Sequence, residues 1–272
     1  MEAETVPRVA VQAGGDDDAE RPSALWEQSV DDGERRLDRT AAAESSTGLI
    51  GGVDVILGIV AAATLAGALS PAVGSQLAAV IGAAAFGVGF VFVTIGRSEL
   101  FTENFLIPVS AVYSGRRPLQ DLARTWTVTL LANLVGLVAL GAIFAKAGVL
   151  EHGALLAVGH TADTLADRGG WDAFLSAIAA GIVMTLWTWL TLASRTDIGR
   201  IAIAFAIGFL LTAPVLNHVI VGSGEMLVAL FAGTTHAGWG DLAANFAVAL
   251  AGNLIGGVGF VTITRAAQAS GH

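Results

Sequence analysis

The chain has 272 residues, 54% of them hydrophobic and only 14% charged, with a mean hydropathy of +0.69 and no cysteine. Soluble domains carry roughly 25% charged residues, so the apolar excess points to lipid as the solvent. Disulfides, thiol chemistry and cysteine-ligated metals are excluded. The net charge of −9 is local, since residues 1–46 hold 12 acidic and 5 basic side chains.

That acidic stretch contains no apolar core of the signal-peptide kind. Its first ~20 residues have a disordered composition. From Ser23, "SALWEQSVDDGERRLDRTAAAESS" predicts a helix capped by Ser23 and lying solvated and frayed at the membrane surface. The expected organisation is an acidic tail over 1–46, a membrane domain over 47–266 and a short tail over 267–272.

Apolar segments long enough to cross a membrane recur at roughly 47–69, 75–113, 122–148, 172–194, 200–232 and 241–265. The second and fifth are too long for one straight crossing, and polar residues interrupt each. Arg35, Arg36 and Arg39 precede the first span; Arg116, Arg117 and Arg124 follow the second; Arg195 and Arg200 follow the fourth; Arg265 ends the sixth. The odd-numbered connections carry only Lys146 and Arg168. This alternation predicts six spans with both termini in the cytoplasm. Trp126, Trp171 and Trp239 fall near predicted span ends, where interfacial aromatics belong.

The two halves correspond. Each has three spans with a broken middle helix, so the second half enters from the opposite side, as in an inverted repeat whose site lies near the midplane. "LLANLVGLV" and "ALAGNLIGGVG" put Asn133 and Asn253 at matching places in the third and sixth spans. The breaks are "SELFTEN" and "APVLNHVIVGSGE". In the second of these Pro214 removes a backbone donor, and Gly222 and Gly224 are expected to loosen the following turn. Half-helix N-termini facing a cavity suit an anion.

"SELFTENFLIPVSAVYSGRRPLQDLARTW", "LNHVIVGSGEM" and "AGNLIGG" together resemble the motifs of the formate/nitrite transporter family, over about 47–266. The resemblance implies an all-α integral membrane protein in the inner (plasma) membrane of a prokaryote. It implies six helices in an inverted 3+3 repeat with an aquaporin-like protomer, and a homopentamer whose protomers each conduct small monovalent anions such as formate or nitrite. By the same resemblance His218 is the central pore histidine and Thr102 the loop threonine facing it. Leu100 and Phe101 line a loop constriction. Phe86, Phe90 and Leu211 form apolar rings, and Asn253 sits near the lumen with Asn217 and Asn133 as further polar candidates. The plainer alternatives for these side chains are core hydrogen bonding and ordinary packing.

The chemistry fits those residues. An unpaired anion in an apolar pore carries a large desolvation cost, which a weak acid avoids by crossing in its neutral form. An imidazole ordinarily titrates near neutrality, so either the histidine or bulk water could supply the proton. Four residues depart from the family pattern: Arg97 before the acidic Leu-Phe-Thr, Asn217 before the histidine, Gly181 in the fourth span and Asp54 in the first. A buried Arg97 would need a partner, and Glu99, Glu103, Asp54 and Glu225 are the available carboxylates. Arg168 stands in the third connection, where the family keeps a basic residue. Rival readings are a neutral-solute channel of aquaporin type, which lacks its Asn-Pro-Ala motif here, and a proton-coupled carrier using Asp54, Glu99 and His218. A scaffold role for the acidic tail is a further rival. An enzyme is not expected, because a metal at His218 and Glu225 finds no HExxH or cysteine. No cofactor, metal or nucleic-acid partner is expected; lipid and a small anion are.

Overall fold

The computed structural model describes residues 21–271; the first twenty residues, where the composition predicts disorder, and His272 lie outside the described residues. In chain order the helices are α1 (Pro22–Leu37), α2 (Ala41–Val73), α3 (Ser75–Gly96), α4 (Ile107–Tyr113), α5 (Leu119–Phe144), α6 (His152–Asp167), α7 (Gly170–Ala193), α8 (Asp197–Thr212), α9 (Val219–Ala232), α10 (Trp239–Leu254) and α11 (Ile263–Ser270). A 3-10 turn, Phe101–Phe105, sits between α3 and α4, and a π-helical stretch, Ile255–Thr262, joins α10 to α11. α2, α3, α5, α7 and the run Trp239–Ser270 are each long and apolar enough to cross a membrane. The fifth crossing is made in two pieces, α8 and α9, around residues 213–218, and α3 with α4 makes the second around residues 97–106.

The molecule is therefore a multi-pass helical membrane protein with two broken crossings. Its halves superpose in their close contacts. A side chain at Gly52 would strike the carbonyl of Asn133, and one at Gly181 the carbonyl of Asn253. Likewise Gly136 meets the carbonyl of Leu49, and Gly256 that of Ile178. The third helix of each half thus presses on the first through glycines at the same register, the small-residue packing expected where lipid offers no hydrophobic drive between helices.

Four expectations need correction. The helix before the membrane domain begins at Pro22, with Arg21 at the cap rather than Ser23. It is not a frayed surface helix: Trp26, Val30 and Leu37 are buried in a cluster with Leu106, Trp189 and Ala266. Trp26 also packs edge-on to Tyr113. Its apolar stripe at i, i+4 and i+11 finds α4 and α11, so a boundary at residue 46 cuts through α2, which starts at Ala41 under the Thr40 hydroxyl. Trp126 is not an interfacial anchor either. Its indole donates to the carbonyl of Asn104 (3.0 Å) and its ring meets Phe101 and Phe105 edge-on. Gly222 and Gly224 do not loosen anything. They lie inside regular α9, and a methyl at Gly224 would sit 2.8 Å from Ile59 Cδ1, so they serve close packing. The third connection, for which the sequence predicts no helix, contains α6.

Candidate functional site

Each break is a backbone that has left the helix inside the protein, where every exposed N–H and C=O needs a partner. One asparagine from the third helix of the same half clamps the middle of each break. Asn133 accepts from the Phe101 amide (2.8 Å) and donates to the carbonyls of Glu99 (2.9 Å) and Gly48 (2.6 Å). Asn253 accepts from the Val219 amide (2.9 Å) and donates to the carbonyls of Asn217 (3.0 Å) and Ala177 (2.8 Å). Leu100 and His218 occupy the same place, between the two clamped peptide groups. The equivalence extends outward: Arg97 (φ 59°) and Val215 (φ 52°), each three residues before that place, are the non-glycine residues in the left-handed region among the described residues. Both amide hydrogens of Asn133 and of Asn253 are committed to backbone, so these two side chains are clamps and offer a solute no donor.

The breaks meet at the centre. His218 is fully buried and caps α9: its Nδ1 accepts from the Val221 amide (3.2 Å). A nitrogen that accepts cannot carry the proton, so Nε2 carries it and donates to Thr102 Oγ1 at 2.9 Å. The Thr102 hydroxyl, also fully buried, keeps its own hydrogen for another acceptor. The apolar candidates lie in the main buried cluster. Phe86 and Phe90 are buried edge to face (5.0 Å), Phe90 stacks on Trp187 (4.3 Å), and Leu100, Phe101 and Leu211 are buried in the same cluster. Trp187 was not anticipated, and its buried Nε1 has no hydrogen-bond partner among the described residues.

The charged residues sort differently from the expectation. Arg97 is exposed and is not paired with Glu99, Glu103, Asp54 or Glu225, because its left-handed backbone turns it off the end of α3. Glu99 is buried and paired instead with the tail: Arg39 Nη2 lies 2.5 Å and Arg36 Nη1 3.2 Å from its carboxylate. Arg36 also donates to Asn104 Oδ1 (3.0 Å), while Glu103 accepts from the Leu100 amide (2.8 Å). Asp54 accepts from the Ser98 hydroxyl (2.5 Å). Asn217 pairs reciprocally with Asn245 (2.8 and 3.1 Å). Arg168 is structural: it donates to the carbonyl of Val215 and to the Ser176 hydroxyl, both at 2.7 Å, and so holds the left-handed turn of the second break.

Each break borders a cavity. The one beside α1, about 280 Å³, reaches the first break at Ser98, Glu99 and Glu103 and is lined by Arg36, Arg39, Arg97 and Arg200. The other, about 620 Å³, reaches the second break at Thr212, Ala213 and Val215 and is lined by α2, α3 and α6 with Glu225 of α9. At the rim beyond the larger cavity, His236 lies between Asp167 (2.9 Å) and Asp163 (3.1 Å). The hydrogen bond to Asp167 and the charge of Asp163 make this imidazole more basic than usual. Burial works against the ionised Asp163, but the Thr235 hydroxyl and the His236 amide hold it below the usual carboxylate range.

Inverted halves and two broken crossings that touch at a buried polar contact define a membrane channel or transporter with an aquaporin-like fold. The chain belongs to the formate/nitrite transporter family, whose profile matches residues 23–267. It is 29% identical over 250 residues to the formate channel BtFdhC of Bacillus thuringiensis, covering 89% of this chain and 92% of that one. It is 28% identical over 250 residues to the uncharacterized transporter YrhG of Bacillus subtilis, covering 89% and 90%. Among solved structures an FNT family ion channel matches with a TM-score of 0.76 at 19% identity, covering 88% of this chain and 96% of that one. A pentameric formate channel with formate bound matches with a TM-score of 0.67 at 18% identity, covering 82% and 95%.

Proposed function

We propose that this protein conducts small monovalent anions of weak acids, of the formate and nitrite kind, through each protomer of a homopentamer, with passage past His218 linked to a proton. The observation that carries the reading is the His218–Thr102 hydrogen bond at the meeting of the two breaks. It presents a hydroxyl donor in an apolar enclosure, where an anion has lost its water and a single donor counts for most. With Nδ1 occupied by the Val221 amide, a second proton on the ring would face another N–H. His218 therefore acts by polarising Thr102, and the proton that neutralises the solute comes from a cavity. The arginine-bearing end, with α1 and α11, is cytoplasmic by the positive-inside rule. There Arg97, cationic and exposed in the smaller cavity, gathers anions.

The test is flux into liposomes holding the purified protein, comparing labelled formate, nitrite and glycerol at about pH 5 and about pH 7.5, for wild type, His218→Asn and Thr102→Val. Anion flux that rises with acidity and falls at least about tenfold in both variants is expected. Glycerol flux without anion flux would replace the reading with a neutral-solute channel.

A further inference from the structure

The larger cavity holds a group that an anion pathway has no evident use for. Glu225 lines it from α9, half-buried and without a hydrogen bond or ion pair to any described residue. An ionised carboxylate there would repel the solute the protein is proposed to carry. Position matters too. Glu225 follows His218 by seven residues, two helical turns and about 10.5 Å along α9, so it stands on the same side of that helix as the central pair.

The surroundings isolate it. Among the residues lining the cavity the ionisable ones are Glu225 and His160, with the neutral Ser70, Ser75, Gln76, Thr161, Thr164 and Thr212 completing the polar lining. α2 turns Ile56 and Ile59 toward α9 beside it, and its Asp54 is engaged with Ser98 at the other break. α5 contributes Leu137. Of the remaining acids on α6, Asp163 and Asp167 hold His236, and Asp241 of α10 caps the Gly238 amide.

Building on the weak-acid reading above, we propose that Glu225 is the proton-exchanging group of the larger cavity. The protonated carboxyl gives its hydrogen to an oxygen of the entering carboxylate or nitrite, forming the neutral acid and the Glu225 carboxylate. Water on that side of the membrane then returns one proton to Glu225. No other bond changes and nothing is oxidised. In the reverse direction the carboxylate takes the proton from the neutral acid leaving the centre, and the anion departs from a carboxyl that is now neutral.

The experiment is formate uptake into liposomes with a pH dye trapped inside, for wild type, Glu225→Gln and Glu225→Asp. Wild-type uptake should rise about tenfold as the pH on the larger-cavity side falls from about 8 to about 5, with protons appearing inside alongside formate. Glu225→Gln should flatten that rise to within about twofold, and Glu225→Asp should restore it with a displaced midpoint. A folded Glu225→Gln protein with the wild-type profile overturns the proposal and leaves the channel reading standing, whereas a wild type that moves no weak acid removes both. Infrared difference spectra of the wild type give an answer that does not depend on the variants folding: a protonated-carboxyl band must respond to formate, and the absence of any such band overturns the proposal.

Discussion

The two breaks are built alike and equipped differently. Each has a left-handed residue, a clamping asparagine from the third helix of its own half, and a first helix pressed close through glycine. At the equivalent central place one carries Leu100 and the other His218. Beside that place one carries Glu99, tied to Arg36 and Arg39, and the other Asn217, tied to the neutral Asn245. The backbone solution is repeated because unsatisfied peptide groups inside a membrane are costly in either orientation. The side chains are free to diverge, and they have made one break charged and anchored to the tail and the other neutral with a buried histidine at its centre.

The largest test of the shared part is Asn133→Ala against Asn253→Ala. Each strands two buried backbone groups of its break at about 1–3 kcal/mol apiece, so both proteins should unfold about 10 °C or more earlier in detergent, or not be recovered. A large loss in one and none in the other would break the equivalence. The differing part is probed by Glu99→Gln and Asn217→Ala. Arg36 and Arg39 are partly exposed, so the loss of their partner costs about 1–2 kcal/mol after screening. Asn217→Ala leaves Asn245 unpaired for a similar amount. The first loss should shrink in high salt and the second should not, which a melting series at two ionic strengths will read. Arg97→Gly and Val215→Gly should each gain about 1 kcal/mol by relieving a left-handed side chain. Only Arg97→Gly should also slow anion entry from the smaller cavity. The smallest effect lies at the rim. The folded pKa of His236 is raised, so its stabilising contribution is fully present below the ordinary imidazole range and is lost as pH rises through the raised value. His236→Gln should erase that slight loss of stability across neutral pH.

Much of this was legible in the chain. The apolar runs, the alternating arginines and the paired breaks determine six crossings and an inverted repeat, because length and periodicity in lipid leave few alternatives. Asn133 and Asn253 stood out as matched positions, though their use as clamps depends on peptide groups more than thirty residues away. Arg97 was misplaced because a polar residue beside a break reads as buried, while the left-handed turn that swings it outward leaves no composition signal. The true partners of Glu99 lie 60 residues upstream in a stretch whose acidic composition hides an apolar stripe. The α6 helix has too short an apolar face to announce itself, and the π-helical stretch follows from a contact, Thr262 Oγ1 to the carbonyl of Phe105 (2.7 Å), that only the folded chain supplies.

Each clamp draws on its own half alone: Asn133 reaches Gly48, Glu99 and Phe101, and Asn253 reaches Ala177, Asn217 and Val219. During synthesis the leading three crossings can therefore complete their broken helix while the rest is still on the ribosome. The later half brings its own clamp, and on docking it adds Thr262 to the Phe105 carbonyl and His218 to Thr102 of the earlier break. A gene cut within the connection before α6 would yield two separately translated pieces, each already carrying the asparagine clamp of its own break.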